Sequence, residues 1–242
     1  MARHVKNHKR KIHGNSFWDQ EYTKATHLAL STEPSEDLEK FTRWLIRQNG
    51  KTLLNLHSSV IDLGCGNGRN LIYLAKTFGN KGIGYDSSAA AIKQAKLNSE
   101  GLNLDYLARS ISGALNVEEN TQSLALDMMS SHFLNKEDRT FLRDEIYRIL
   151  KPGGFLFFKT FLRDGDLHTK RLIEDNPADE EGAYIHPVIG VAEYTYGEEE
   201  LIDFLSEKFL IHKTYSSHQH RSKGKARKRR TISVYAEKDP FG

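Results

Sequence analysis

The stretch Val60-Ile61-Asp62-Leu63-Gly64-Cys65-Gly66-Asn67-Gly68-Arg69-Asn70 limits the fold more than any other part of the chain. An aliphatic run closes in an acid, three glycines alternate with small or polar residues, and Leu71 to Phe78 follow at helical spacing. That order predicts a buried strand, a tight turn and a helix. Glycine serves such a turn by tolerating positive φ and by letting a ligand approach the backbone. A dinucleotide turn spaces its glycines G-x-G-x-x-G and lays a pyrophosphate on the helix N-terminus. The spacing here is G-x-G-x-G, and Asp62 stands where a phosphate would be repelled. An acid beside a glycine turn suits a ligand that carries positive charge.

The alternation continues downstream. Ile83 to Asp86 reads as a second strand, Ala89 to Asn98 as a helix, Leu102 to Ala108 as a third strand and Leu124 to Met128 as a fourth. Asn135 caps a helix over Lys136 to Leu150, with Phe141, Leu142, Ile146, Ile149 and Leu150 as its buried stripe. Pro152-Gly153-Gly154 stops it, and Phe155 to Phe161 is a continuous apolar strand of the kind found inside a parallel sheet. Glu198 to Glu207 reads as helix, Phe209 to Thr214 and Thr231 to Glu237 as strands. Strands alternating with helices imply a doubly wound α/β sheet with right-handed crossovers. Upstream, Ser35 caps a helix carrying Leu38, Phe41, Trp44, Leu45 and Gln48, and Gly50 ends it.

Three segments resemble the class I S-adenosylmethionine (SAM)-dependent methyltransferases, most nearly their type 11 and type 25 domains: Asp62 to Gly68, Gly82-Ile83-Gly84-Tyr85-Asp86, and Arg148-Ile149-Leu150-Lys151-Pro152-Gly153-Gly154-Phe155-Leu156. The resemblance covers about residues 55 to 160 and implies a Rossmann-like, mostly parallel seven-stranded sheet whose last strand is antiparallel. It also implies SAM as cofactor. Asp62, Gly64, Cys65, Gly66 and Gly68 would hold the methionine part and Asp86 the ribose. Ser110 stands where the family often has an acid for the adenine amine, and Trp18, within Trp18-Asp19-Gln20-Glu21-Tyr22, matches an element that packs over the pocket. For Cys65 the reading is a small residue beside the ligand. The fourth strand runs into Asp127-Met128-Met129-Ser130-Ser131-His132, which matches the family's methyl-facing motif. The Asn/Asp-Pro-Pro-Tyr signature of amine methyltransferases is absent there. His132 is a candidate general base, and equally a hydrogen-bonded wall residue. Asp127 is the second catalytic candidate, positioning SAM or lining the pocket.

Methyl transfer needs alignment more than acid, base or metal, and orientation alone is worth roughly 7–11 kcal/mol. No metal is expected: His132, His168, His186, His218 and His220 match no standard ligand spacing. Residues 163–197 are irregular and acidic, and read as a lid or substrate loop, with Tyr184 and His186 as substrate-shaping residues.

Charge distribution bears on the acceptor. Five cations lie within residues 1–13 and seven within 218–230, so a whole-chain charge of +3 leaves −9 elsewhere. Residues 1–16 read as a basic flexible tail on a single domain spanning 17–242, and 215–230 as a basic loop between the last two strands. In the family pattern that loop overhangs the substrate side, where Arg227 and Arg229 would contact an anionic acceptor. RNA or another polyanion is slightly favoured, with a small-molecule or protein acceptor as the alternative. Two other functions compete: a nicotinamide-dependent oxidoreductase, and a non-catalytic nucleic-acid-binding module on a SAM-type fold. No apolar run approaches the ~18 residues of a membrane span. The single cysteine excludes an internal disulfide and fits a cytoplasmic protein. Oligomeric state is not legible.

Overall fold

A computed structural model describes residues 14–25, 30–217, 221–222, 225–226 and 229–241. Two helices, α1 (Gly14–Thr23) and α2 (Glu36–Asn49), precede the alternating part. There β1 (Ser59–Leu63), α3 (Arg69–Phe78), β2 (Lys81–Asp86), α4 (Ala89–Asn98), β3 (Leu104–Ala108), β4 (Gln122–Met128), α5 (Lys136–Ile149) and β5 (Leu150–Phe161) follow in order. The region after β5 contains α6 (Leu167–Asp175) and a small hairpin of β6 (Ala183–Ile185) and β7 (Ala192–Tyr194). The chain closes with α7 (Glu198–Ser206), β8 (Leu210–Ser216), a two-residue pair β9 (Arg221–Ser222) and β10 (Lys225–Ala226), and β11 (Thr231–Glu237).

The main sheet has seven strands in the order β3-β2-β1-β4-β5-β11-β8. β11 is antiparallel to both of its neighbours, so β8 runs with the other strands, as the family pattern implies. Side chains alternate across each strand, and both faces are covered. Ile61, Leu63, Leu156 and Phe158 pack toward α5 and α7, while Val60, Leu124, Leu126, Phe155 and Phe157 pack toward α2, α3 and α4. A half-buried antiparallel sheet would need polar residues at alternate positions. These strands lack them.

Four local expectations change. Phe141 is exposed; Arg139 and Arg143 take the buried positions on α5 through ion pairs with Glu180 and Glu207. Gln48 is also exposed. Ser35 sits at the N-cap of α2 yet makes no side-chain cap hydrogen bond. The span 163–197 is a helix and hairpin rather than an irregular loop, because Arg163, Asp164 and Asp166 satisfy its backbone at Thr195, Glu198 and His168. The basic tail falls outside the described residues up to residue 13, and α1 begins before the expected boundary at 17. No helix among the described residues is long and apolar enough to cross a membrane.

Candidate functional site

The carboxyl edge of the sheet is built around the turn between β1 and α3. The Gly64 and Cys65 amides both donate to the Tyr85 carbonyl, at 2.7 and 2.9 Å, so the turn is fixed to the end of β2. Gly64 and Gly66 have φ of +81° and +54°. A Cβ on Gly64 would run into Ser130, and one on Gly66 into the Tyr22 hydroxyl. Glycine is required at both on conformation and on space. The Gly66 amide donates to Asp86 Oδ2 at 2.9 Å and the Ser88 amide to Asp86 Oδ1 at 2.8 Å. Both oxygens of that carboxylate are thereby aimed, each with acceptor capacity left over.

Above the turn lies a cavity of about 620 Å³. Asp86, Ser87, Ser110 and Ile111 line one end; Gly64, Cys65, Gly66, Asn67 and Arg69 line the floor; Met128, Met129 and Ser130 form the middle; Ser31, Ser35, Asn70 and Lys159 lie beyond them. Helix α1 covers it. Asp19 Oδ1 accepts from the Ser88 hydroxyl at 2.7 Å and the Ala90 amide at 3.1 Å, the Gln94 amide donates to the Tyr22 carbonyl, and Trp18 meets Phe133 edge-to-face at 5.9 Å. Trp18, Tyr22 and Phe133 all face the cavity.

Of the residues expected to hold a cofactor, Gly64, Cys65, Gly66, Asp86, Ser110 and Trp18 line the cavity, whereas Asp62 and Gly68 lie outside its lining. Asp62 is buried with Oδ2 unpartnered, and burial, reinforced by the charge of Asp86, pushes its carboxyl up to about 7. Burial also raises Asp86, against hydrogen bonds from Ser88 and Gly66. The Cys65 thiol is buried and pushed well up, chiefly by burial and then by Asp62, so it is not a reactive thiolate. Two buried carboxyls, Asp62 and Asp127, lie behind the cavity and the half-buried Asp86 lines it, so acidic groups concentrate there. A cation entering the cavity offsets their negative charge.

The catalytic candidates sit behind the wall. Asp127 Oδ1 accepts from the Ser130 hydroxyl at 2.7 Å and the Ser131 amide at 3.1 Å, which shapes the short 3₁₀ turn over Ser131–Phe133. Met129, just before it, has φ of +64°, a sparsely populated conformation held at the cavity surface. His132 is buried behind Phe133, with ring centroids 4.2 Å apart, and its Nδ1 is unpartnered. Burial holds its pKa down to about 4, so the ring is neutral near pH 7.

The substrate candidates likewise turn inward. Tyr184 is fully buried, and His186 Nδ1 accepts from the Val188 and Ile189 amides, both at 3.2 Å, shaping the hairpin turn. Neither lines the cavity; Val191 of the same hairpin does. Arg229 pairs with buried Glu193 and lies 3.3 Å from the centre of the Phe161 ring and 5.2 Å from that of Tyr184. Its charge is spent on the hairpin rather than offered to a polyanion. Arg227 lies outside the described residues.

The sequence reading missed Arg69, Asn70 and Lys159 on the cavity wall. For Arg69 a signal existed. A cation at the first position of a helix opposes the helix dipole, and α3 has no acid in its first turn. An arginine there makes sense opposite an anion. Lys159 carried no such signal, since a lysine at a strand end is ordinary.

Residues 60–154 match the family model described as Methyltransferase domain. The carboxy-S-adenosyl-L-methionine synthase of Vibrio parahaemolyticus is 28% identical over 123 residues, 49% of this chain and 50% of the relative. The fatty-acid O-methyltransferase of Mycolicibacterium smegmatis is 26% identical over 151 residues, 59% of this chain and 51% of the relative. The chain thus spans about half the length of these curated relatives. A solved SAM-dependent methyltransferase of Methanosarcina mazei superposes with a TM-score of 0.65 at 23% identity, covering 81% of this chain and 97% of that one, so the fold is shared.

Proposed function

From the premise that residues 60–154 form a methyltransferase domain of the class I, SAM-dependent kind, we propose that the protein transfers the methyl group of SAM to a small acceptor bound in the same cavity. One observation carries this reading. The glycine turn, the aimed Asp86 carboxylate and the Met128–Ser130 segment line a single cavity roofed by Trp18 and Tyr22.

SAM, when bound, would supply a methyl carbon made electrophilic by its sulfonium and open to attack by an acceptor lone pair. The chain's own residues orient the partners and exclude water. Asp86 would take the ribose hydroxyls, Arg69 would meet the carboxylate of the methionine part, and the buried Asp62 carboxylate would set a field that favours the cationic centre. Ser110 Oγ, 2.8 Å from Ser112 Oγ, stands at the adenine end. His132, neutral and behind Phe133, acts on the shape of the wall rather than on the acceptor proton.

A small acceptor is supported over RNA by two features. The cavity, about 620 Å³ and lined by Trp18, Phe133 and Val191, suits a compact group beside the cofactor. The described cations at the end of the basic loop, Arg229 and Arg230, are committed to Glu193 and to the Ser217 carbonyl. Labelled-methyl transfer from SAM to fractionated metabolite, RNA and protein pools tests the proposal. Label is expected in the metabolite pool; label confined to RNA or protein would overturn the small-acceptor reading.

A further inference from the structure

Strand order separates two ends of the cavity. Along β2-β1-β4-β5, Asp86 stands at the end of β2 and Lys159 near the end of β5, with the glycine turn and Met128–Ser130 between them. A cofactor gripped at Asp86, with its methyl at the β4 end, leaves the Lys159 side for the acceptor. Lys159 is rigidly placed: it registers with Met128, and its carbonyl accepts from the Met129 amide at 2.8 Å. Its side chain is 18% exposed, and among the described residues its ammonium bonds only Asp37 Oδ2, at 2.6 Å. Burial alone would raise the Asp37 carboxyl, yet hydrogen bonds and charge from Lys159, and then from Lys40 at 3.3 Å, pull it below its ordinary value. An ammonium has three donors, so two remain on the cavity wall. Ser35, whose side chain makes no cap bond on α2, lines the same cavity.

The pair is part-buried rather than sealed, its two side chains being 18% and 31% exposed, so a small anion in the cavity can reach the remaining donors. We propose that Lys159 anchors a carboxylate of the acceptor, so that the methyl acceptor is a small carboxylic acid. Asp37 half-neutralises the site, which suits a monoanion rather than a phosphate dianion. The inference rests on the methyltransferase reading above.

The test uses full-length protein loaded with S-adenosylhomocysteine, titrated with benzoate and octanoate and with their amides. Trp18 fluorescence is the readout, the second tryptophan, Trp44, being packed in the core. Each carboxylate is expected to bind at least ~10-fold more tightly than its amide. Lys159→Met should erase that preference, Lys159→Arg should keep it, and Asp37→Asn should strengthen carboxylate binding several-fold, all with S-adenosylhomocysteine affinity within about twofold of wild type. Opposite effects at the two ends of one ion pair cannot come from a structural tether, whose loss from either side would weaken binding alike. Equal binding of acids and amides, or parallel losses in the Lys159→Met and Asp37→Asn variants, overturns the assignment. A loss of S-adenosylhomocysteine affinity in Lys159→Met alone reassigns Lys159 to the cofactor and also overturns it. Failure of the wild type to bind S-adenosylhomocysteine takes the methyltransferase reading down with it.

Discussion

Asp62 lacks a partner for one carboxylate oxygen and is surrounded by further acids, and that tension gives the site its sharpest residue-level consequence. Its carboxyl titrates near 7 when folded, above its unfolded value. The folded chain therefore holds an extra proton between the ordinary carboxylate range and about pH 7. That contribution to stability is complete below the ordinary range and is lost as pH rises through about 7. Asp62→Asn should then stabilise the ligand-free protein at pH 8 by on the order of 2 kcal/mol, or ~5 °C in Tm by calorimetry, while weakening SAM binding at least ~10-fold. An unchanged Tm, or undiminished SAM affinity, counts against a field-setting role. In the wild type, SAM should bind more tightly at pH 8 than at pH 6, and calorimetric titration of the Asn variant should show that dependence flattened. Gly66→Ala would force a side chain into φ of +54° and against Tyr22. Its expected signature is a loss of SAM affinity together with a stability cost of about 1–3 kcal/mol in denaturant melts.

At the scale of elements, two pieces close the site, and each is held by a nameable contact. Helix α1 is fastened at the start of α4 through Asp19, which does there what a helix cap does. Asp19→Ala should cost about 1 kcal/mol and weaken SAM binding, with hydrogen exchange at α1 accelerating before the rest of the chain. Exchange rising uniformly instead would show that α1 is not a separate cover. The β6–β7 hairpin is clamped by Arg229, sandwiched on Phe161 and paired with Glu193. Arg229→Met leaves a buried carboxylate alone and should cost about 3 kcal/mol, much of it regained in the Arg229→Met, Glu193→Gln double variant. Additive losses in that cycle would mean the two side chains act separately.

For the whole molecule, the alternation of apolar strands and helices was enough to read the doubly wound sheet, because a strand buried on both faces is apolar along its buried length and Phe155 to Phe158 is. The cofactor end was legible for a related reason: the glycines at 64 and 66 and the acid at 86 answer to backbone geometry that leaves a local mark. The proposed acceptor end left none. Lys159 and Asp37 are 122 positions apart and meet only through tertiary packing, and Arg229 reads as one more cation in a basic run until Glu193 is seen beneath it. Tyr184 and His186 belong to a hairpin whose turn hydrogen bonds consume the histidine, which no spacing in the sequence announces. All of this depends on one cavity holding SAM between a fixed glycine turn and the Asp86 carboxylate. Isothermal titration of S-adenosylhomocysteine into the wild type and into Asp86→Ala tests it directly, with circular dichroism to verify the fold. One saturable site in the wild type, weakened at least ~10-fold in a folded Asp86→Ala protein, is the predicted result; no binding by folded wild type at millimolar ligand, or equal binding by both proteins, would contradict it.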